Sequence, residues 1–295
     1  MGSQDRIKIQ EDLVKTEGQA YRIDLSYIGT PFNGFQSQVS KNGIQDHLEK
    51  ALRTFLNHDL RVRGASRTDS GVHAHHQVAL FRTKVPYSPR WLLSLNALTP
   101  IEIGIQKLCP VDHFFDPIFD SKGKAYRYRL WQGRCFNPFT QSFVWPVHQS
   151  IDLKLLAKEA ADFIGTHDFN AFCNKDSDAK TTIRKIFDVK CDERGPMIDI
   201  WITGEGFLKQ MVRIMVGTLV AVMQGHLPPG SIRNLLAGGL ERKLAGMTAP
   251  AKGLALVEVF YNEVGQLDKI ISKCGTHFCF PYYDDHLGIL AAGQK

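Results

Sequence analysis

Residues 21–57, YRIDLSYIGTPFNGFQSQVSKNGIQDHLEKALRTFLN, contain the pattern of a strand followed by a helix. Residues 21–27 alternate between apolar and polar side chains, which is typical of a β-strand with one buried face. In residues 43–57 the apolar side chains recur at helical spacing and form one face, made of Ile44, Leu48, Ala51, Leu52 and Phe55. A strand followed by an amphipathic helix is consistent with the start of an α+β fold.

The rest of the first half completes a β-α-β-β-α-β order. Two strands are predicted after the helix, LRVRGA at 60–65 and QVALFRT at 77–83. A helix around PRWLLSLNAL, residues 89–98, and a strand IEIGIQKL, residues 101–108, follow.

The second half repeats this order without a repeat of sequence. Its predicted strands are KAYRYRLW at 124–131, IRKIFDVKC at 183–191, MIDIWIT at 197–203 and GLALVEVFY at 253–261. Its predicted helices begin after Asp152 as N-cap, run from about residue 207 to 224, and begin again at Ser231. Each half therefore has the split βαβ order of ferredoxin-like and RRM-like domains.

We accordingly predict an α+β protein whose two halves place their sheets side by side, with a cleft between them. The expected boundaries are a flexible tail at 1–19, an N-terminal half at 20–115, a C-terminal half at 116–262, and an extension of unknown role at 263–295.

Composition narrows the class of protein. Of the 295 residues, 43% are hydrophobic and 22% are charged, which is typical of globular chains. The longest apolar stretch, IMVGTLVAVM from Ile214, is too short to cross a bilayer, so no membrane partner is expected. The first 18 residues have no secretion signal and the six cysteines form no CxxC pair, which favours reduced thiols and a cytoplasmic location. The net charge of +6 only slightly favours a polyanionic partner.

A single carboxylate, Asp69, lies in the segment RGASRTDSGVHAHHQVALF, residues 63–81. One interpretation is a β-turn with Asp at its first position and Gly near its end. The other is a reactive group, because Arg63 and Arg67 are close in sequence and an arginine favours the ionised form of a neighbouring carboxylate. The sequence leaves both interpretations open.

The strand KAYRYRLW directs Lys124, Tyr126 and Tyr128 to one face and the intervening residues to the other. Its aromatic face could simply be the inner side of a half-exposed strand. It could also be a stacking surface for a nucleobase, with cations beside it for phosphate.

The apolar helix in EGFLKQMVRIMVG, residues 205–217, contains an arginine, Arg213. Helical spacing would place Lys209, Arg213 and Gly217 on one stripe. A buried guanidinium needs a carboxylate or phosphate partner, and we predict that this partner is Asp69.

Three histidines, His73, His75 and His76, could suggest a metal site. In a strand His73 and His75 share a face while His76 opposes them, and no acidic or cysteine ligand lies at a useful spacing. No metal is therefore expected.

The segment SRTDSGVHA, residues 66–74, resembles GRTDAGVHA of the TruA-type tRNA pseudouridine synthases. Five further segments resemble the same family in the same order, namely SYIGTPFNGFQ, SLNALTP, FIGTHDFNAF, FLKQMVRIMVGTLV and APAKGLALVEV. Six segments in register are far more specific than one motif. The resemblance implies a two-lobed α+β isomerase, usually a homodimer, with a central RNA-binding catalytic cleft. Such an enzyme converts uridine to pseudouridine in the anticodon arm of tRNA without a cofactor.

The resemblance also implies roles for individual residues. Asp69 corresponds to the catalytic aspartate and Arg213 to its basic partner. Arg67 corresponds to the arginine that accompanies base flipping, and Tyr126 to the tyrosine that stacks on the base. Gly253 and Leu254 correspond to the Gly-Leu that lines the pocket.

This sequence departs from the family pattern at several positions, although none of them removes a catalytic group. Ile28 stands where the family usually has Asp, Phe35 where it has Trp, Gln210 where it has Asn, and Pro117-Ile118 where it often has Ala-Arg. Two other functions were considered. A non-catalytic RNA-binding protein could use the same scaffold, and a hydrolase could use the histidines, although a second carboxylate is missing.

Overall fold

The computed structural model describes residues 18–133, 138–174, 179–238 and 241–277. Within them, ten strands form one mixed sheet: β1 Gln19–Tyr27, β2 Arg63–Gly64, β3 His73–Thr83, β4 Ile103–Pro110, β5 Gly123–Gln132, β6 Trp145–Val147, β7 Gly165–Asp168, β8 Ile183–Arg194, β9 Met197–Gly204 and β10 Leu254–Phe260. The α-helices are α1 Ile44–Leu56, α2 Arg90–Leu98, α3 Leu153–Ala161, α4 Met211–Met223, α5 Ser231–Leu236 and α6 Leu267–His277. The predicted α+β class is confirmed.

The two halves have the same strand order. The N-terminal half is ordered β4-β1-β3, with β2 also paired to β3, and the C-terminal half is ordered β10-β5-β9-β8. In each half the fourth strand lies beside the first, the first beside the third, and the third beside the second. The split βαβ arrangement predicted for both halves is therefore present.

The two half-sheets are continuous because β2 is short. It pairs with β3 only at Leu80 and Ala79, and β10 pairs in parallel with β3 farther along, at His73 and Ala74. The last strand of the C-terminal half thus joins the strand that follows the Asp69 loop. The predicted strand LRVRGA is longer than β2, of which only Arg63 and Gly64 pair with β3.

Helices from both halves pack on the sheet face that carries Tyr126 and Tyr128. The core there includes Leu48 of α1, Leu95 of α2 and Leu156 of α3. The opposite face has a smaller cluster, in which Leu267 and Ile270 of α6 pack with Trp201, Val257 and Phe260. Helix α6 lies within the extension to which the sequence gave no role. Among the described residues no helix is long and apolar enough to span a membrane.

The helix that contains Arg213 begins later than predicted, at Met211 rather than near residue 207. The cause is Gln210, whose φ of 62° is left-handed and interrupts the helix on its N-terminal side. Lys209 therefore precedes the helix, whereas Arg213 and Gly217 lie within it. The prediction that Lys209 shares a helical stripe with them is wrong. By contrast, Asp152 caps α3 as predicted, accepting hydrogen bonds from the amides of Lys154 and Leu155.

The tail predicted at 1–19 and the extension at 263–295 lie largely outside the described residues. The boundary between the halves, at 115 and 116, stays a prediction, because the sheet is continuous across it.

Helix α4 packs unusually close to the segment that precedes β10. A Cβ atom on Gly217 would lie 1.8 Å from the carbonyl oxygen of Met247, and the amide of Ala249 donates to the carbonyl of Arg213 at 3.1 Å. Only glycine at position 217 allows this approach, which fixes Arg213 relative to Ala249.

Gly217→Ala should lower the stability of the protein. Alanine favours a helix by about 1 kcal/mol over glycine, but forcing the helix away from Met247 should cost roughly 1–3 kcal/mol and outweigh that gain. Thermal melting should show a lower Tm than wild type. Gly206→Ala is the matched control, since a Cβ there meets no atom within 4 Å. An unchanged or higher Tm for Gly217→Ala would contradict the close packing.

Candidate active site

The Asp69 loop connects β2 to β3 and directs alternate side chains inward and outward. Ser66 and Thr68 are buried, with 8% and 7% of their surface exposed, whereas Arg67 between them is exposed. The hydroxyls of Thr68 and Tyr27 are 2.8 Å apart, and the carbonyl of Thr68 accepts from the amide of Phe35 at 3.0 Å. These contacts fix the backbone on both sides of Arg67 and leave its guanidinium available to a ligand.

Asp69 begins a tight turn, as one interpretation of the sequence predicted. The amide of Val72 donates to the carbonyl of Asp69 at 3.1 Å, and Gly71 has the positive φ of 79° that such a turn favours. The carboxylate is not used to stabilise this turn. It points instead toward helix α4, so the turn positions the carboxylate.

Asp69 and Arg213 form the predicted ion pair. Nη1 of Arg213 donates to Oδ2 of Asp69 at 2.9 Å, and its Nε donates to the carbonyl of Ala249 at 2.8 Å. The side chains are 14% and 21% exposed for Arg213 and Asp69, so solvent reaches both groups. A charge-assisted hydrogen bond in this partly dry setting orients the carboxylate. The pair joins a loop of the N-terminal half to a helix of the C-terminal half.

Tyr126 lies on β5 beside this pair, on the face that the alternation of KAYRYRLW predicted. Its hydroxyl is 2.7 Å from that of Ser66, and Phe207 meets its ring edge-on at a centroid distance of 5.0 Å. Burial raises the pKa of the Tyr126 phenol to about 12, with the charge of Asp69 acting in the same direction. The phenol is therefore neutral at physiological pH.

Leu254 begins β10 and Gly253 immediately precedes it, on the same side of the sheet. A Cβ on Gly253 would lie 2.7 Å from the ring of Tyr128, whose hydroxyl donates to the carbonyl of Pro250 at 2.8 Å. In the β5–β10 register Leu254 lies opposite Tyr128, while Leu256 lies opposite Tyr126. Gly253 and Leu254 thus pack around Tyr128, which lies two positions from Tyr126 along β5.

The two arginines near Asp69 in sequence have different environments. Arg63 pairs with Asp116, Nε to Oδ2 at 2.8 Å, and has no ion pair with Asp69. Arg67 forms no ion pair among the described residues. The arginine that contacts Asp69 is therefore the one 144 positions away.

The histidines have structural roles. Nδ1 of His73 accepts from the amide of Gly29, and its Nε2 lies 3.1 Å from the carbonyls of Ser142 and Lys252. Nε2 of His75 accepts from Arg127 at 3.0 Å, and burial, followed by the charge of Arg127, lowers the pKa of His75 to about 3. Over the described part of the chain, no three His, Cys, Asp or Glu side chains are grouped to hold a metal.

The polar contacts behind the loop were not predicted from the sequence. Gln77 is fully buried and hydrogen-bonds both backbone groups of Ser66, while Tyr128 hydrogen-bonds Pro250. The one available signal was a glutamine at an inward-facing position of an apolar strand. Such a residue requires partners, but the sequence does not identify them.

A family model and individual relatives of this chain indicate the same protein family. Residues 25–120 and 160–262 match the tRNA pseudouridine synthase family. A protein of Geotalea daltonii named tRNA pseudouridine synthase A is 40% identical over 241 residues, covering 81% of this chain and 98% of that protein. Proteins of the same name from Solidesulfovibrio magneticus and Acetivibrio thermocellus are 41% and 38% identical, covering 83% and 81% of this chain and 92% and 98% of their own lengths.

Arg213→Ala should destabilise the protein because it leaves a partly buried carboxylate and the Ala249 carbonyl without their donor. We expect a loss of roughly 1–3 kcal/mol in the free energy of unfolding, measured by urea denaturation. Arg233→Ala is the control, since Arg233 pairs with Asp162 at 2.8 Å but is 79% exposed, and should change stability little. Equal effects of the two substitutions would contradict a buried role for the Asp69–Arg213 pair.

His75 should make the protein sensitive to acid. The pKa of His75 is about 3 in the folded protein, against an ordinary value of 6.5. The contribution of neutral His75 to the free energy of unfolding is therefore complete above pH 6.5 and is lost as the pH falls toward 3. Between pH 6.5 and 3, the free energy of unfolding of wild type should fall by up to about 1.4 kcal/mol more per pH unit than that of His75→Gln. Urea denaturation from pH 7 to 4 measures this difference, with exposed His226→Gln as the control. Parallel curves for wild type and His75→Gln would show that His75 titrates normally.

Proposed function

The chain belongs to the tRNA pseudouridine synthase family, and we propose that its isomerase reaction depends on Asp69. The observation that carries this proposal is the ion pair of Asp69 with Arg213, 2.9 Å long and partly open to solvent. A carboxylate in a structural ion pair would gain nothing from a neighbouring exposed arginine and a buried tyrosine. Here Arg67 is that exposed arginine and Tyr126 is that buried tyrosine.

The reaction requires a carboxylate that can reach the sugar or the base. Pseudouridine forms when the bond from C1′ to N1 breaks, the uracil turns, and C1′ bonds to C5, whose proton is then lost while N1 gains one. No oxidation or external energy is involved. Asp69 would either attack the nucleoside covalently or remove a proton from the sugar as a base.

Arg213 would hold Asp69 in position in either route. Its second hydrogen bond, to the carbonyl of Ala249, fixes the guanidinium, so the carboxylate does not have to find its partner during the reaction. A positioned group of this kind avoids reorganisation at the transition state.

Arg67 and Tyr126 would hold the target nucleoside. A uridine must leave its stack to reach Asp69, at a cost of a few kcal/mol. The exposed guanidinium of Arg67 would occupy the vacated space, and the ring of Tyr126 would contact the uracil. Only 6% of Tyr126 is exposed, so the uracil would approach along the side of the ring that faces Asp69.

The finer parts of the proposal follow from the resemblance. The substrate uridines would lie in the anticodon arm of tRNA, the enzyme would act as a homodimer in the cytoplasm, and Gly253 and Leu254 would line the pocket through their packing on Tyr128. Mapping pseudouridine in tRNA transcripts treated with the protein tests which uridines are modified. Light scattering tests whether the protein is a homodimer in solution.

Asp69→Asn should abolish turnover and leave folding and RNA binding intact. A catalytic acid–base group contributes about a hundredfold or more, so tritium release from [5-³H]uridine-labelled tRNA transcripts should fall at least that far. Asp162→Asn is a matched control: its carboxylate is 19% exposed and 2.8 Å from an arginine, against 21% and 2.9 Å for Asp69. It should release tritium at the wild-type rate.

Two outcomes would count against this mechanism. Substantial release by Asp69→Asn would remove the aspartate from the reaction. Binding of tRNA without release by wild type would favour the alternative of a non-catalytic RNA-binding protein.

A further inference from the structure

We propose that Ser66 is a positioning residue, whose hydroxyl orients Tyr126 for contact with the target uridine. This inference rests on the proposed function of Asp69 and Tyr126. Ser66 stands where the segment GRTDAGVHA has glycine, so the hydroxyl is a feature of this chain that the family pattern does not supply.

The backbone of Ser66 is fixed by Gln77, a side chain with no exposed surface. The amide of Ser66 donates to Oε1 of Gln77 at 3.2 Å, and Nε2 of Gln77 donates to the carbonyl of Ser66 at 2.8 Å. Two bonds from one buried side chain allow the residue little freedom. The hydroxyl of Ser66 therefore starts from a defined position.

A second contact fixes the same segment two residues later. Nε2 of Gln77 also lies 3.4 Å from the hydroxyl of Tyr27, which is 2.8 Å from that of Thr68. Gln77 thus connects to both Ser66 and Thr68, the residues on either side of Arg67. The position of Ser66 is set by the same contacts that set the Asp69 loop.

The hydroxyl of Ser66 transmits this position to the ring of Tyr126. The two oxygens are 2.7 Å apart, a short and well-formed hydrogen bond between buried groups. Phe207 contacts the ring edge-on, and the hydroxyl contact restrains it at the phenol end. The loop that carries Asp69 and the strand that carries Tyr126 are therefore joined directly, in addition to the Asp69–Arg213 pair.

The two hydroxyls have two protons and share one hydrogen bond. Among the described residues neither hydroxyl makes a further hydrogen bond, so the second proton is available to a ligand. If Ser66 donates to Tyr126, the phenol can donate to a carbonyl of the bound uracil. A glycine at position 66 would leave the phenol without this partner.

Ser66→Ala and Tyr126→Phe test the contact in the tritium-release assay. Each should lower kcat about two- to tenfold with KM for tRNA unchanged, because one neutral hydrogen bond orients the ring and most RNA contacts lie elsewhere. The double variant should match Tyr126→Phe, since that substitution already removes the bond to Ser66. Ser66→Thr retains a hydroxyl and should restore most of the rate.

Ser231→Ala is the matched control. Ser231 is 8% exposed, as Ser66 is, and its hydroxyl makes one hydrogen bond of 2.6 Å, to the carbonyl of Pro228 at the start of α5. Its loss should leave kcat and KM unchanged. A loss of kcat equal to that of Ser66→Ala would show a general effect of removing a buried hydroxyl and would overturn the proposal.

A second measurement does not depend on activity. In protein labelled with ¹³C-tyrosine, the ring signals of Tyr126, assigned with Tyr126→Phe, should shift in Ser66→Ala and stay unchanged in Ser231→Ala. Unchanged signals, or losses of kcat that multiply in the double variant, would overturn the role of Ser66. Absence of tritium release by wild type would count against the proposed function instead, and the ring signals would still decide whether Ser66 orients Tyr126.

Discussion

The ion pair between Asp69 and Arg213 is the constraint on which the geometry of the site depends. Its two members belong to different halves of the chain, and each half must be folded before they can meet. Arg213 contributes a second hydrogen bond to Ala249, and Gly217 one turn later on α4 allows the helix to approach that same segment. The position of the guanidinium is thus set by backbone packing, and it meets the carboxylate that the Asp69 turn directs toward α4.

The continuous sheet explains why the halves meet in this register. Strand β10 pairs with β3 at His73 and Ala74, immediately after the Asp69 loop, and with β5 along the residues that include Tyr126. One strand therefore fixes the distance between the loop and the tyrosine. Gln77, Ser66 and Thr68 then fix the loop itself, so that Arg67 remains exposed while its neighbours are buried.

Much of this could be predicted from local patterns. Alternation in KAYRYRLW separated Tyr126 and Tyr128 from Arg127 and Arg129, and the need of a buried guanidinium for a partner indicated Asp69. Other features could not be predicted, because they depend on contacts between distant segments. The start of α4 was misplaced since nothing in FLKQMVR reveals that Gln210 is left-handed. Arg63 was considered as a neighbour of Asp69, yet it pairs with Asp116, which packs nearby only in the folded protein.

The sequence by itself determined the class of the fold, the split βαβ order of each half and the residue types of the site, because hydrophobic periodicity and side-chain chemistry are local properties. It did not predict the short strands β6 and β7. The tertiary structure alone decided that β2 ends after two residues and leaves the edge of β3 to β10. It also decided that Gly253 packs on Tyr128 and that Ser66 meets Tyr126 across 60 positions. Such pairings depend on strand register and on the close approach of backbones, which no single segment encodes.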